Sequence, residues 1–435
     1  MPTLKAAAAA VPIAIEPSAA KPSPRQEAEL RASALVLEAG QRLCLVSCDT
    51  LVVPGHVLEE ATRQIVTVTG IPPANILITA SHTHHAPCTI DILGFHRDEA
   101  FCDRLLASIV SAVSEATQTL DHGKPEQIEV EFLFSESQEA TVGTNSRYLL
   151  KDGTTAWYAY PWEDVIRPTG PFDPDLPVFA LRRKDGSLTS ILFNHSVHNI
   201  GALTEGMLSP GFYGLAAQDI NRRHGGTTLF LPGAFGSSHN TGVFGSTPNL
   251  HAVSTAECVY RITAAVEKGL RDAQRVPLDS VAVLKRRFAY RIREFDEAAE
   301  EATVTYWAEK YNPTGAEVTK KIFRAMRADM APVQGEERQT WLQAIRLGNI
   351  ALVGVPGEMF GALGLEIRRR SPFRYTYIIG LANDTIGYIA DRASYQLGGY
   401  QLWAGWHSPS APGTGEALVT QALEMLEELH SPAGM

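Results

Sequence analysis

Charge of either sign is modest in this chain, and there is no basic excess. Charged residues make up 20% of the 435, with Lys plus Arg at 38 against Asp plus Glu at 48, a net −10. That balance argues against a dedicated nucleic-acid or anionic-membrane surface, so neither is expected as a partner. No apolar run approaches the ~20 residues of a membrane span. The N-terminal apolar stretch Ala6 to Ile15 is short and contains Pro12, which disfavours a signal peptide. Cysteines number five, an odd count without a CxxC pair. A disulfide framework is therefore not expected; buried reduced thiols and a cytoplasmic location are. No repeat of 20–50 residues is visible. The G-x-S-x-G elbow is also missing, which disfavours a serine hydrolase.

What is present is a globular composition, 45% hydrophobic, with alternating strand and helix signals. A loop rich in Pro and Ser is expected over 16–24. Ala34–Leu37 and Leu43–Ser47 then read as a hairpin around Ala39-Gly40, followed by a helix over His56–Thr69. Asn75–Thr79 is a short apolar strand, and Cys102–Ala116 places Leu105, Leu106, Ile109, Ala112 and Val113 on one helical face. The middle is strand-rich: Ile128–Phe134, Val178–Arg182, Ser190–Asn194 and Thr228–Leu231, with a helix over Gly214–Arg223. Between Glu294 and Glu337 the pattern is charged and helical, and reads as a surface excursion rather than a lid. Gly348-Asn349 is a two-residue hairpin turn between Thr340–Leu347 and Ile350–Val355. Pro356-Gly357-Glu358 follows, then helices to about Arg370 and over Gly415–His430. The expected fold is α/β, with mixed β-sheets flanked by helices in one large domain over 1–435.

Only thirteen histidines occur, yet three stand in Ser81-His82-Thr83-His84-His85, directly after a strand. Were the chain to stay extended, His82 and His84 would project to one side and His85 to the other. HxH at a strand end can begin a metal site, or can be a hydrogen-bonded loop pair. His195 and His198 close another strand; alternatively they merely cap it. Glu358 follows a third strand, where it reads equally as a first-turn helix carboxylate. All three stations put ligand-type side chains at the end of an apolar strand, and one sheet can gather such ends.

The sequence resembles the N-terminal domain of the neutral, alkaline non-lysosomal ceramidases and their bacterial relatives. The resemblance runs through Leu37-Glu38-Ala39-Gly40, Leu45-Val46-Ser47-Cys48-Asp49, Thr69-Gly70-Ile71-Pro72, Ser81-His82-Thr83-His84 and Val355-Pro356-Gly357-Glu358. It closes on Gly413-Thr414-Gly415-Glu416-Ala417-Leu418-Val419. A counterpart of the family's immunoglobulin-like C-terminal domain is not expected after that segment. The resemblance implies one zinc ion per chain, held by two histidines, a glutamate and a tyrosine. These fall on His82, His198 (with His195 the weaker candidate), Glu358 and Tyr388. It also implies His84 as general base and then acid, beside a zinc-activated water that attacks an amide or ester carbonyl.

The departures concern the substrate. His85-Ala86-Pro87 stands where ceramidases have Ser-Gly-Pro, and Gly236-Ser237-Ser238-His239-Asn240 where they have Gly-Asp-Val-Ser-Pro-Asn. Their Asn-Arg pair appears as Asn145-Ser146-Arg147, and Ser-Ala-Asp-Tyr-Pro-Gly as Ser209-Pro210-Gly211-Phe212-Tyr213-Gly214. The metal shell is kept while the substrate shell is rewritten. The expected function is a zinc-dependent amidohydrolase for a small or medium N-acyl compound other than ceramide. His239, Arg147 and His85 are the candidate substrate contacts. Amide formation or cyclisation in a biosynthetic pathway is the enzymatic alternative, and a zinc-stabilised binding protein the non-enzymatic one. A homodimer is compatible with a chain of this length.

Overall fold

The computed structural model describes residues 3–15, 25–155, 160–240 and 253–431; the loop expected over 16–24 lies outside them. Three sheets meet on a common core. The first runs in the order Lys5–Pro12, Arg31–Ala39, Gln41–Cys48, Ile76–Ala80, antiparallel except for the last, parallel pair. The expected hairpin and the strand after the first helix are both here. The strand Lys5–Pro12 is a finding beyond the sequence reading: its alanine-rich run pairs along its whole length with Arg31–Ala39.

Side-chain alternation explains why this sheet has no polar face. Leu35, Leu37, Leu43 and Leu45 enter the core shared with the other sheets. Val36, Cys44, Val46 and Cys48 enter the layer under the helices Gly55–Thr69 and Glu99–His122. Strands buried on both faces become continuous apolar runs, as these are.

The second sheet orders Thr227–Pro232, Leu188–His195, Val178–Arg183, Val130–Ser135 and Gln274–Arg275. The third orders Val281–Arg291, Glu337–Leu347, Ile350–Gly354 and Tyr375–Ile379, with Gly348-Asn349 turning the expected hairpin. Parallel pairing of Leu188–His195 with Thr227–Pro232, and of Ile350–Gly354 with Tyr375–Ile379, points these strand ends the same way. Buried polar contacts staple the sheets together. Asn194 Nδ2 donates to Leu231 O and Ile378 O, both at 2.8 Å, and Thr79 Oγ1 donates to Gly380 O at 2.7 Å.

Two elements depart from expectation. Glu358 lies in no helix; Glu358–Met359 forms a short parallel ladder with Tyr388–Ile389, and the following helix begins at Gly361. The charged helices Glu297–Tyr311 and Ala316–Met330 carry Val304, Trp307, Phe323 and Met326 into a core cluster with Phe360, Tyr388, Tyr400 and Trp403. Most of their charges face solvent, as expected of a surface excursion, but Arg327 is fully buried and paired with Glu297 and Glu301. Their inner face is a wall behind Tyr388.

Candidate metal centre

His82 and His198 sit just beyond strands of this core, and Glu358 and Tyr388 on a short ladder of their own. The strand Ile76–Ala80 ends two residues before His82, and His82 turns the chain sharply at φ 58°. The segment therefore does not stay extended, and the side-chain directions given for that case do not apply. The left-handed residue itself brings the two imidazoles together, with His82 and His84 ring centroids 4.8 Å apart and perpendicular. Histidine is one of the few residue types that visit this region without a large penalty. Leu381 (φ 50°) and Asn383 (φ 62°), in the loop leading to Tyr388, share the conformation. Backbone strain of this kind concentrates at functional sites.

His198 and Glu358 complete the cluster. His198 Nε2 stands 3.0 Å from Glu358 Oε2, His82 Nε2 3.5 Å from the same oxygen, and Tyr388 OH 3.4 Å from His198 Nε2. Glu358 and Tyr388 are register partners across their short ladder, so one hydrogen-bonded pair of strands fixes both. Two glycines make the approach possible. A Cβ on Gly236 would lie 2.1 Å from Glu358 O, and Gly387 (φ 67°) precedes Tyr388 with His407 O 2.3 Å from a would-be Cβ.

The tautomers are set from outside. His82 Nδ1–H donates to Leu51 O and His198 Nδ1–H to Ser238 O, both at 2.8 Å. Both Nε2 atoms are thereby turned toward the Glu358 carboxylate. A positive charge among them, a proton or a metal ion, holds the three groups together, and a backbone carbonyl on the far nitrogen is the usual support of a metal-binding imidazole. The donor set of imidazole, imidazole and carboxylate, with a phenol beside it, fits zinc.

Electrostatics give the centre an ionised carboxylate beside a His198 imidazole that burial disfavours as a cation. Burial, opposed by the Glu358 hydrogen bond, lowers the His198 pKa. Burial raises the Glu358 pKa, but His82 and His198 outweigh it and hold the carboxyl well below its ordinary range. Burial, then Glu358 and Tyr400, push the Tyr388 phenol well above 10. His84 opens onto solvent on one side and is crowded by protein on the others. That enclosure, then His82 and His198, lowers its pKa well below 6.5.

The other sequence candidates separate cleanly. His195 is fully buried and away from the centre; Tyr213 OH donates to its Nδ1 at 2.5 Å and its Nε2–H donates to Glu139 O at 2.9 Å. With both nitrogens used, it is no ligand. His239 joins the site, stacked on His198 with ring centroids 4.0 Å apart. His85 does not: its Nε2 accepts from Gly201 N at 2.9 Å, supporting a neighbouring loop. Arg147 is 1% exposed, and its guanidinium donates to Gln401 Oε1 and to the carbonyls of Ser394 and Gly398. Charge followed by a shifted sequence spacing suggested a substrate anchor, whereas the burial makes it an internal clamp on the 394–401 segment. Sequence reasoning missed Phe235, whose ring lies 4.8 Å from both His82 and His198, and Tyr400, 6.1 Å from Tyr388. The carbonyls of Leu51 and Ser238 carry no side-chain signal at all.

Fold and site together define a mixed α/β protein with a histidine–carboxylate centre of metal-binding type. No family model and no curated protein sequence matches the chain. Among solved structures it is similar to neutral ceramidase from Pseudomonas aeruginosa, with a TM-score of 0.72 at 18% identity over 98% of this chain and 74% of that one. A second, described as ceramidase complexed with C2, matches with the same score and identity over 98% of this chain and 75% of that one. The fold is thus that of the neutral ceramidases.

Proposed function

We propose that the chain is a zinc-dependent amidohydrolase that cleaves a small or medium N-acyl compound, with one zinc at the centre formed by His82, His198, Glu358 and Tyr388. The observation that carries this reading is the convergence of two imidazole Nε2 atoms on the Glu358 carboxylate, each imidazole held at its far nitrogen by a backbone carbonyl. The likeness to ceramidase supports the reaction class through its fold. Zinc bound there supplies Lewis acidity, lowering the pKa of a water toward neutrality and polarising a carbonyl.

The chain's own residues do the rest. His84 is neutral at pH 7, because its pKa lies well below 6.5, and it opens onto solvent beside His82. It takes a proton from the attacking water and returns it to the departing amine nitrogen, so amide and water become acid and amine. Phe235 packs on two of the imidazoles and excludes water from that side. His239, stacked on His198, adds a polar ring where a long acyl chain would need continuous apolar lining. That substitution favours a compact, polar amide over ceramide.

The test is a mass-spectrometric screen of N-acyl compounds with zinc-loaded protein, run beside long-chain ceramide in detergent. Turnover of a compact amide, lost on chelation and restored by zinc, is expected. Efficient ceramide cleavage overturns the substrate class, and no cleavage of any amide or ester overturns the hydrolase.

A further inference from the structure

A second set of ligand-type side chains lies where two helices begin. His56 is in the first turn of Gly55–Thr69; Glu99 and Cys102 are in the first turn of Glu99–His122. One ligand atom from each falls within 4.8 Å of the other two. His56 and Glu99 are exposed and Cys102 is 1% exposed, so a sulfur forms the floor and an imidazole and a carboxylate form the rim. Their present contacts are ones an ion could displace: Cys102 Sγ makes a 3.7 Å contact to Thr89 O, and Glu99 Oε1 accepts from Arg97 Nε at 2.8 Å and Nη2 at 2.5 Å in an exposed ion pair.

We propose that His56, Glu99 and Cys102 form a second metal site, for zinc or a divalent ion of similar softness, completed by water and separate from the His82–His198–Glu358 centre. Thiolate, imidazole and carboxylate are the donors zinc accepts, at roughly 2.3, 2.0–2.1 and 2.0–2.2 Å. Magnesium and calcium take oxygen donors and would leave the sulfur unused. Closing the present spacing onto one ion asks for rotamer changes in His56 and Glu99, which their exposure allows. The thiol is the costly member. Burial, then Glu99, hold its pKa up to about 11, so the ion replaces a proton that leaves to solvent.

The site's place in the fold gives it a consequence. Thr89 Oγ1 donates to Val52 O at 2.7 Å, joining the segment before Cys102 to the segment before His56. One residue earlier, Leu51 O accepts the Nδ1–H of His82 at 2.8 Å. An ion bridging the two helix starts therefore fixes the backbone that aims His82.

Cobalt(II) titrated into the full chain after chelation reads this directly. A thiolate-to-cobalt charge-transfer absorption in the near ultraviolet is expected, retained in His82→Ala and erased by competing zinc. It should vanish in Cys102→Ser. In His56→Ala, which touches no core packing, cobalt affinity at this band should fall at least about tenfold, the lower figure even for an outer-sphere partner. No thiolate band in the parent protein, its survival in Cys102→Ser, or unchanged affinity in both His56→Ala and Glu99→Gln would each overturn the site.

Discussion

At the scale of single residues, His84 and its neighbours differ in what they touch, and substitutions should separate them. His82→Ala or His198→Ala removes an imidazole Nε2 aimed at Glu358 and should strip zinc from the centre, read by elemental analysis after dialysis. His84→Ala should keep that zinc and lower turnover by roughly 10² to 10⁴, the usual contribution of a positioned general base. Equal metal loss in this variant would make His84 a ligand. Arg147 gives the opposite kind of contrast. Its guanidinium satisfies the buried Gln401 Oε1 and Ser394 O and the half-buried Gly398 O, and each buried acceptor left without a donor costs about 1–3 kcal/mol. Arg147→Ala should therefore unfold at lower denaturant concentration, and a raised KM at unchanged stability would restore it as a substrate anchor. Sequence reasoning reached the ligand-type residues because rare histidines after apolar strands stand out. It ranked His198 over His195 only through the family resemblance, since the residues alone do not show which ring nitrogen meets a carbonyl, and it could not see that Arg147 points inward.

At the scale of elements, strands and helices with strong period-2 or period-3.6 patterns were readable from sequence, and so was the Gly348-Asn349 hairpin. The strand Lys5–Pro12 was not, because alanine is a poor strand former and only pairing with Arg31–Ala39 makes the run a strand. Cleavage after residue 14, as for a leader, would leave Arg31–Ala39 as an unpaired apolar edge. Such a truncated protein is expected to aggregate on refolding; full solubility with an unchanged melting temperature would contradict the pairing. The helices Glu297–Tyr311 and Ala316–Met330 show the same limit, since net charge revealed their outer face but not what the inner face covers. Trp307 packs 5.7 Å from Trp403, and Trp403 and Tyr388 each lie about 6 Å from Tyr400. Trp307→Ala should cost about 3–5 kcal/mol and loosen zinc at the centre through Tyr388. Val318→Ala, on the exposed face of the same pair, should stay within about 0.5 kcal/mol.

At the scale of the whole molecule, the buried histidines make stability depend on pH. His195, His198, His239 and His407 are buried and all have lowered pKa values, burial being the largest cause in each and taking His407 to about 4. An unfolded histidine titrates near 6.5. Each group is thus neutral in the folded chain while its unfolded counterpart takes up a proton. The stability it contributes is complete above about 6.5 and drains as pH falls toward the folded value. Glu358, held below its ordinary range, extends the loss to lower pH. Asp49 works the other way: burial raises it to about 7, so it stays protonated when folded and its contribution improves on acidification. Four histidines against one aspartate give the net sign. Metal-stripped protein, unfolded by urea at a series of pH values, should lose stability steadily between about pH 7 and about pH 5, with proton uptake on unfolding throughout. The prediction uses metal-free protein because bound zinc would also be displaced by acid and would steepen the curve for a second reason. His407→Gln, which removes an imidazole packed on the Tyr388 ring and none of the three groups of the His82–His198–Glu358 cluster, should flatten the profile. A metal-free protein as stable near pH 5 as near pH 7 would mean these imidazoles reach water, and the packing around His198 and His239 would then be looser than their stacked rings require.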